Sequence, residues 1–463
     1  MKKLVIYCLL LLSLGMVATA CGSDGPDGGG TEKTEPKPEP GETAGPPEGK
    51  AVFTAADDLK GMDLTKKSSK WCWQRSKATE DVILFWAKGF GDNLSKAPTL
   101  QGQDMRVDVD LLLKKTQEFY DYYYDVLKFV KPGKTKADKY RMMIMLDYSL
   151  EGTAYGGTSN NEIGTLWVAP NRVQDKNMNA VAHELGHCFQ LQIIADGDGD
   201  AWGGCGFYEM TSQWMLWRVN PEWTTEERYH LYYPDTDQCF AWQTHKAFLH
   251  SENIYRSPYI IECWADLHGL DFIAELYRAG KVGEDPVITY KKLTGLDQDK
   301  FNDEMWRNSA RITAWDFDRT REYTSGLCDL WKKVAFTDAG EGWQRIAKNN
   351  CPQNYGFNAI AMTPPEAGKT LSLGFRGEAG QTGFTSIHKS AAGWRYGFVA
   401  VDSDGNTIYG NIHKDATGTV SFSAPEGKSV RKLWLVVMGA PISHYIHNSQ
   451  QPDDEWPYSI KTL

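Results

Sequence analysis

The chain contains no CxxC pair, no long basic run and no internal repeat. Beyond its first twenty residues it also has no apolar run long enough to cross a membrane. Without CxxC spacing, a cysteine-ligated zinc site has little support. Lys and Arg number 50 against 60 Asp and Glu, a formal net charge of −10. That acidic balance makes nucleic acid and anionic membrane surfaces poor partners; solubility is the plainer meaning of the charge. The absent apolar runs exclude a polytopic membrane protein. What remains is 463 residues, 41% hydrophobic, 12% aromatic and 24% charged. This is the mixture of a folded globular protein, not a collagen-like or disordered one, and it has room for two or three domains.

The first residues carry an address. Lys2 and Lys3 precede an apolar run from Leu4 to Val17, and Ala18-Thr19-Ala20-Cys21 follows. A short positive region, an apolar core and small residues make a secretory signal over 1–20. The cysteine after those small residues resembles a bacterial lipobox. That resemblance implies that Cys21 is lipidated and that the protein is a membrane-anchored lipoprotein of the outer membrane or cell surface. It would then touch the membrane only through its acyl chains. An ordinary signal with an incidental cysteine is the alternative. Residues 21–50 are mostly Gly, Pro, Glu and Lys and read as a disordered tether, with too little apolar surface to offset ordering entropy. Seven further cysteines follow, at 72, 188, 205, 239, 263, 328 and 351. An odd count leaves at least one thiol unpaired.

The pattern along the chain changes twice. Strands are expected at 80–86, 140–148 and 162–168, and a helix at 107–130. Helical segments follow near 177–194, 207–219, 257–279 and 298–312. From about 352 the pattern becomes short alternating runs, at 370–375, 394–401, 406–409, 418–422 and 432–438. Asp404-Gly405 marks a hairpin between two of them. The expected fold class is α+β: a mixed α/β domain over 51–340, then an all-β sandwich over 352–463.

One stretch carries most of the chemistry, Val181-Ala182-His183-Glu184-Leu185-Gly186-His187-Cys188-Phe189. On a helix, residues four apart share a face, so His183 and His187 can grip one ion. Imidazole suits zinc, and Glu184 is turned far enough from His183 to act on a water without being forced to ligate. Met178, Val181, Ala182, Leu185, Cys188 and Phe189 form one apolar stripe, centred roughly opposite the histidines. Gly186 weakens a helix but lets another backbone come close. A third ligand is needed, and no HExxHxxGxxH follows, since Gln190 occupies the glycine position. Glu209, 22 residues after His187, lies in a second amphipathic helix marked by Met210, Trp214 and Trp217. Gln213, one turn later, is suited to hydrogen-bond a ligand histidine.

His183-Glu184-x-x-His187 followed by a helical Glu209 resembles the gluzincin metallopeptidases, the thermolysin-like clan. The resemblance is specific only over about 163–219. It implies a zincin-like domain with Zn²⁺ held by His183, His187 and Glu209 and Glu184 as general base. It also implies an edge strand for substrate before the motif helix, a part that 162–168 is suited to take. Thermolysin-type members have an aspartate where this chain has Gln213. More loosely, Trp73-Gln74-Arg75-Ser76, Phe85-Trp86, Gly393-Trp394-Arg395-Tyr396-Gly397-Phe398 and 434–438 resemble a poorly characterised group of secreted bacterial proteins. Those pair an HExxH domain with a C-terminal β-sandwich.

The expected function is therefore a secreted, lipid-anchored zinc metallopeptidase acting on extracellular protein or glycoprotein. Its rival is a glycan- or protein-binding lipoprotein with a structural zinc site. Asp196-Gly197-Asp198-Gly199-Asp200 begins like a calcium loop, but Ala201 and Phe207 stand where an EF-hand needs Gly and Glu, so a polar turn is preferred. One of these aspartates as third zinc ligand, an aspzincin-like arrangement, ranks below Glu209. His245, His250, Tyr255 and His268 are open candidates for an oxyanion donor. Trp394, Trp434 and Trp456 read as core, and His444 with His447 takes no metal.

Overall fold

The structure is a computed structural model, and it describes residues 44–152, 154–203, 207–232, 239–255, 257–448 and 450–463. Cys21, the segment expected as signal and the tether as far as residue 43 lie outside the described residues. The end of the expected tether is not disordered: Arg141 donates to the Glu48 carbonyl at 2.6 Å and to that of Lys50, and Lys50 pairs with Asp81, which fastens 48–50 to the fold.

Two strands set the first layer. β2 (Val82–Trp86) and β3 (Met142–Leu146) are buried at every position, as strands covered on both faces require. They run parallel to each other and to β5 (Ile163–Val168). β1 (Ser76–Ala78) and β4 (Ala154–Ser159) close the sheet antiparallel, in the order β1-β2-β3-β5-β4. β4 and β5 are joined through Asn160 and Asn161, both at positive φ, where asparagine is tolerated best among side-chain-bearing residues. The segment expected as the edge strand, 162–168, is thus interior. The edge on this side of the sheet belongs to β4, whose AYGGTS sequence carries too little apolar signal to be read as a strand.

Helices cover the sheet. α1 (Val109–Asp121) starts at Asp108, whose carboxylate accepts from the Leu111 N–H at 3.0 Å. The helix expected over 107–130 stops early, at a wider turn over Tyr122–Val126 in which the Leu127 N–H reaches the Tyr122 carbonyl. Three successive tyrosines find separate partners there. Tyr122 accepts from Arg218, Tyr123 donates to the Ala182 carbonyl, and Tyr124 donates to Asp138. The motif helix is α2 (Asn179–Ala195), followed by α3 (Phe207–Val219), short α4 (Trp223–Glu226) and short α5 (Phe240–Gln243). α6 (Tyr259–His268) and α7 (Phe272–Ala279) divide the expected 257–279 segment at Gly269, whose φ of 102° no helix accommodates. α8 (Pro286–Thr294) and α9 (Gln298–Ala314) complete the layer.

The C-terminal part is two antiparallel sheets. One has the order β11-β10-β13-β8, from β8 (Phe357–Met362), β10 (Trp394–Asp402), β11 (Thr407–Tyr409) and β13 (Val430–Gly439). The other, β12-β9-β14-β7-β6, uses β6 (Phe336–Asp338), β7 (Gln344–Ile346), β9 (Thr370–Gly377), β12 (Thr417–Ser423) and β14 (Tyr458–Thr462). It therefore draws on 336–346, upstream of position 352.

Period-two alternation splits the four-stranded sheet between two cores. Tyr396, Phe398, Ala400, Leu433, Leu435 and Val437 face the other sheet, with Trp394 and Trp456 in the same core. Val399, Val401, Trp434, Val436 and Met438 join the large core that runs through the helices. Arg395, 3% exposed, pairs with Asp299 and Asp303 of α9 at 2.6 and 2.5 Å. The sandwich is thus built onto the helical layer through a continuous interior.

Candidate metal centre

α2 is positioned from below by its apolar stripe. Met178, Val181, Ala182, Leu185, Cys188 and Phe189 are all at most 1% exposed. Contact with the sheet is backbone-close: a Cβ on Gly156 of β4 would lie 1.8 Å from the Glu184 carbonyl oxygen. From the other side α3 packs at Gly186, where a Cβ would meet Ser212 Oγ at 2.8 Å. The close approach foreseen at Gly186 is thus that of α3, which brings Glu209 against the two histidines.

The three side chains meet in a triangle. His183 Nε2, His187 Nε2 and Glu209 Oε2 are each 3.2 Å from the other two. The outer nitrogens are occupied. His183 Nδ1 lies 3.3 Å from Gln213 Oε1, and His187 Nδ1 lies 3.0 Å from Gln190 Oε1. The amide orientations follow from their other ends. Gln190 Nε2 donates to the Tyr208 carbonyl and to Ser212 Oγ, and Gln213 Nε2 donates to the Tyr255 carbonyl. An amide oxygen only accepts, so each Nδ1 carries the hydrogen and a neutral ring turns its Nε2 lone pair inward. Two lone pairs and a carboxylate oxygen this close repel unless a cation or proton sits among them.

That donor set fits zinc. Bonds of about 2.0–2.1 Å at tetrahedral angles put neighbouring ligand atoms roughly 3.3–3.4 Å apart, and the observed edges are 3.2 Å. Among the described residues, no other group of three or more His, Cys, Asp or Glu has this spacing, and no fourth such residue joins this one. Electrostatics agree. Burial opposes charge on His187, yet the Glu209 hydrogen bond and charge, with Glu184 adding, raise its pKa to about 9. Burial likewise opposes the charge on Glu209, and His183 and His187 overcome it, holding the carboxyl far below its ordinary range. Glu184 is half-buried on the same helix.

Of the four open donor candidates only Tyr255 lies at this centre, its ring centroid 6.1 Å from that of His183. His268 bonds Tyr290 at 2.6 Å, and His250 faces Asp453 at 3.8 Å. His245 is buried with its pKa pushed down to about 3 by desolvation. The aspartates of 196–200 serve the chain's own donors. Asp196 accepts from the Lys136 N–H and Gln192, Asp198 pairs with Lys131 and Arg278, and Asp200 lies 3.8 Å from Lys281. They form a polar turn and stand apart from the triangle. His444 bonds Tyr355 and Asp285, and His447 pairs with Asp453. Cys72, Cys188, Cys263, Cys328 and Cys351 are buried free thiols.

Sequence reasoning missed Gln190. Its signal was there: three residues after His187 on one helix it shares that histidine's side, and a glutamine facing a helix–helix contact needs partners.

α3 itself is braced by Glu262 of α6. That carboxylate accepts from Trp214 Nε1 at 2.7 Å, Arg218 at 3.0 Å and Arg319 at 2.6 Å.

A family model described as "Family of unknown function (DUF6055)" matches residues 45–462. No curated protein matches the chain. Solved structures with similarity include a functionally unknown conserved protein mutant from Bacillus anthracis str. Ames, at 14% identity and TM-score 0.30. That match covers 75% of this chain and 72% of the other. The M60 catalytic domain of Clostridium perfringens ZmpC, solved in complex with the sialyl T antigen, matches at 11% identity and TM-score 0.32, covering 82% and 69%. The catalytic module of the metalloprotease ZmpA from the same organism matches at 13% identity and TM-score 0.27, covering 80% and 70%.

Proposed function

The chain belongs to the family of unknown function DUF6055, and for it we propose a zinc-dependent peptidase that hydrolyses peptide bonds of extracellular proteins or glycoproteins. The observation that carries this reading is the triangle of His183 Nε2, His187 Nε2 and Glu209 Oε2 with 3.2 Å edges. Zinc held by these atoms supplies Lewis acidity toward a carbonyl and a water molecule. A structural zinc is closed by four protein ligands, and no fourth joins these three among the described residues.

The remaining chemistry belongs to side chains. Gln213 and Gln190 hold the two rings in the tautomer that leaves Nε2 free. Glu184 accepts a proton from the attacking water and returns it to the leaving amine. Tyr255 is the donor we assign to the oxyanion. β4 is the edge strand beside α2, on which an extended substrate can pair. Anchoring through a lipid on Cys21, with 22–43 as spacer, would keep this centre at the bacterial surface.

The test is Glu184→Gln. Wild-type protein should hold one zinc and cleave a casein or mucin substrate, and the variant should keep the zinc while cleavage falls by about 100-fold or more. Undiminished cleavage in the zinc-loaded variant removes Glu184 from the chemistry.

A further inference from the structure

The sandwich leaves one strand edge open. β8 ends the four-stranded sheet, paired on one side only, with β13. Its outward groups follow from the ladder's alternation. The Phe357 N–H turns away from β13 and donates to the Thr244 carbonyl, whereas one residue earlier the Gly356 carbonyl accepts from the Gly439 N–H, so odd positions face out. Ala359 and Ala361 are the next outward residues. Their backbone N–H and C=O groups have no partner among the described residues.

These groups line a groove of about 670 Å³ between β8 and the chain around 328–336. Its floor is apolar, with Trp331, Val334, Phe336, Met362 and Trp434. Its rim carries Lys332, Lys333, Arg431 and Lys432 against one carboxylate, Asp329, which pairs with Lys432. Lys332 lies over the Trp242 ring at 4.4 Å, while Lys333 and Arg431 are exposed. A positive groove on a chain of net charge −10 is a local reversal.

We propose that this groove binds an acidic peptide segment in extended form, added as a strand to β8. The backbone of Ala359 and Ala361 supplies the ladder, the apolar floor takes alternate side chains, and the four cations attract the acidic residues between them. The same charge guards the edge: a second copy's β8 would bring like charge to like and be repelled. Segments of about six residues span the strand.

The probe is a fluorescein-labelled peptide of alternating Glu and Val, nine residues long, titrated into zinc-loaded Glu184→Gln protein so that cleavage cannot intervene. Binding should strengthen as salt is lowered, and the Lys-Val counterpart should not bind. Ala361→Pro removes one outward donor at an exposed edge, where proline is tolerated, and should weaken binding about fivefold or more. N-methylation of alternate peptide amides should do the same on unaltered protein, so the result does not depend on the variant folding. Lys333→Glu with Arg431→Glu should abolish binding. The proposal is overturned if the acidic peptide does not bind, if neither amide change weakens it, or if polyphosphate, which has no amides, binds as tightly. None of these outcomes bears on cleavage, which the Glu184 variant tests separately.

Discussion

Glu209 of α3 and Glu262 of α6 are two largely buried carboxylates on neighbouring helices, and what surrounds each gives it a different use. Glu262 is held by two guanidiniums and an indole N–H, all permanent donors. Burial would raise its pKa, but Arg319 and Arg218 lower it instead, so its charge is locked into the fold. Glu209 meets the Nε2 atoms of two imidazoles, which can give up a proton and offer a lone pair. Its side chain is 20% exposed against 1% for Glu262. A carboxylate paired with arginine cannot exchange its partner for a metal; one paired with histidines, which can lose a proton, can. Burial and charge alone do not tell a site from a strut. The titratability of the partners does.

The largest contrast should come from removing each carboxylate in turn. Glu209→Ala should lose zinc and with it peptidase activity, while the protein still unfolds cooperatively, because histidines left without the carboxylate can shed a proton where a buried arginine cannot. Metal analysis after dialysis together with thermal unfolding checks this; retained zinc would break the comparison at its centre. Glu262→Gln should do the reverse. Two buried guanidiniums lose their counter-charge, at a cost of about 3–5 kcal/mol in urea unfolding, while zinc stoichiometry in the folded fraction stays at one. The pH dependence follows from the sign of the shift. A carboxyl with a lowered folded pKa stabilises above its unfolded value, near 4.5, and that contribution disappears as pH falls below it. The variant should lack this part of the acid loss. The smallest effect separates the two shells of the metal centre: Gln190→Ala should weaken zinc affinity by roughly 10–100-fold with the ligands intact. Unchanged affinity in a competition titration would mean that the His187 orientation needs no such partner.

How much of this was legible beforehand depended on the range of the interaction. His183, Glu184 and His187 lie on one helix, and helical geometry alone puts two imidazoles on one face. Glu209 and Gln213 were reachable because a second amphipathic stripe fixed which side they share. Tyr255 was not singled out, because it reaches His183 only through the packing of another segment. β4 was missed because AYGGTS has the composition of a loop, although its glycines are what let α2 lie on it: a Cβ at Gly156 would collide with the Glu184 carbonyl. The helix expected over 107–130 was overridden by three tyrosines with three separate partners. The sandwich strands with clear alternation were found. Yet their second face, turned toward the helices through Trp434, Val436 and Met438, gave no separate signal, because a strand buried on both sides reads simply as apolar.

The central claim is that one zinc ion sits among two histidines and Glu209, and anomalous diffraction at the zinc edge from zinc-grown crystals tests it most directly. The account predicts a single strong peak bonded to His183 Nε2, His187 Nε2 and a Glu209 carboxylate oxygen. No peak there, or a peak elsewhere with Glu209 turned away from both rings, would contradict it.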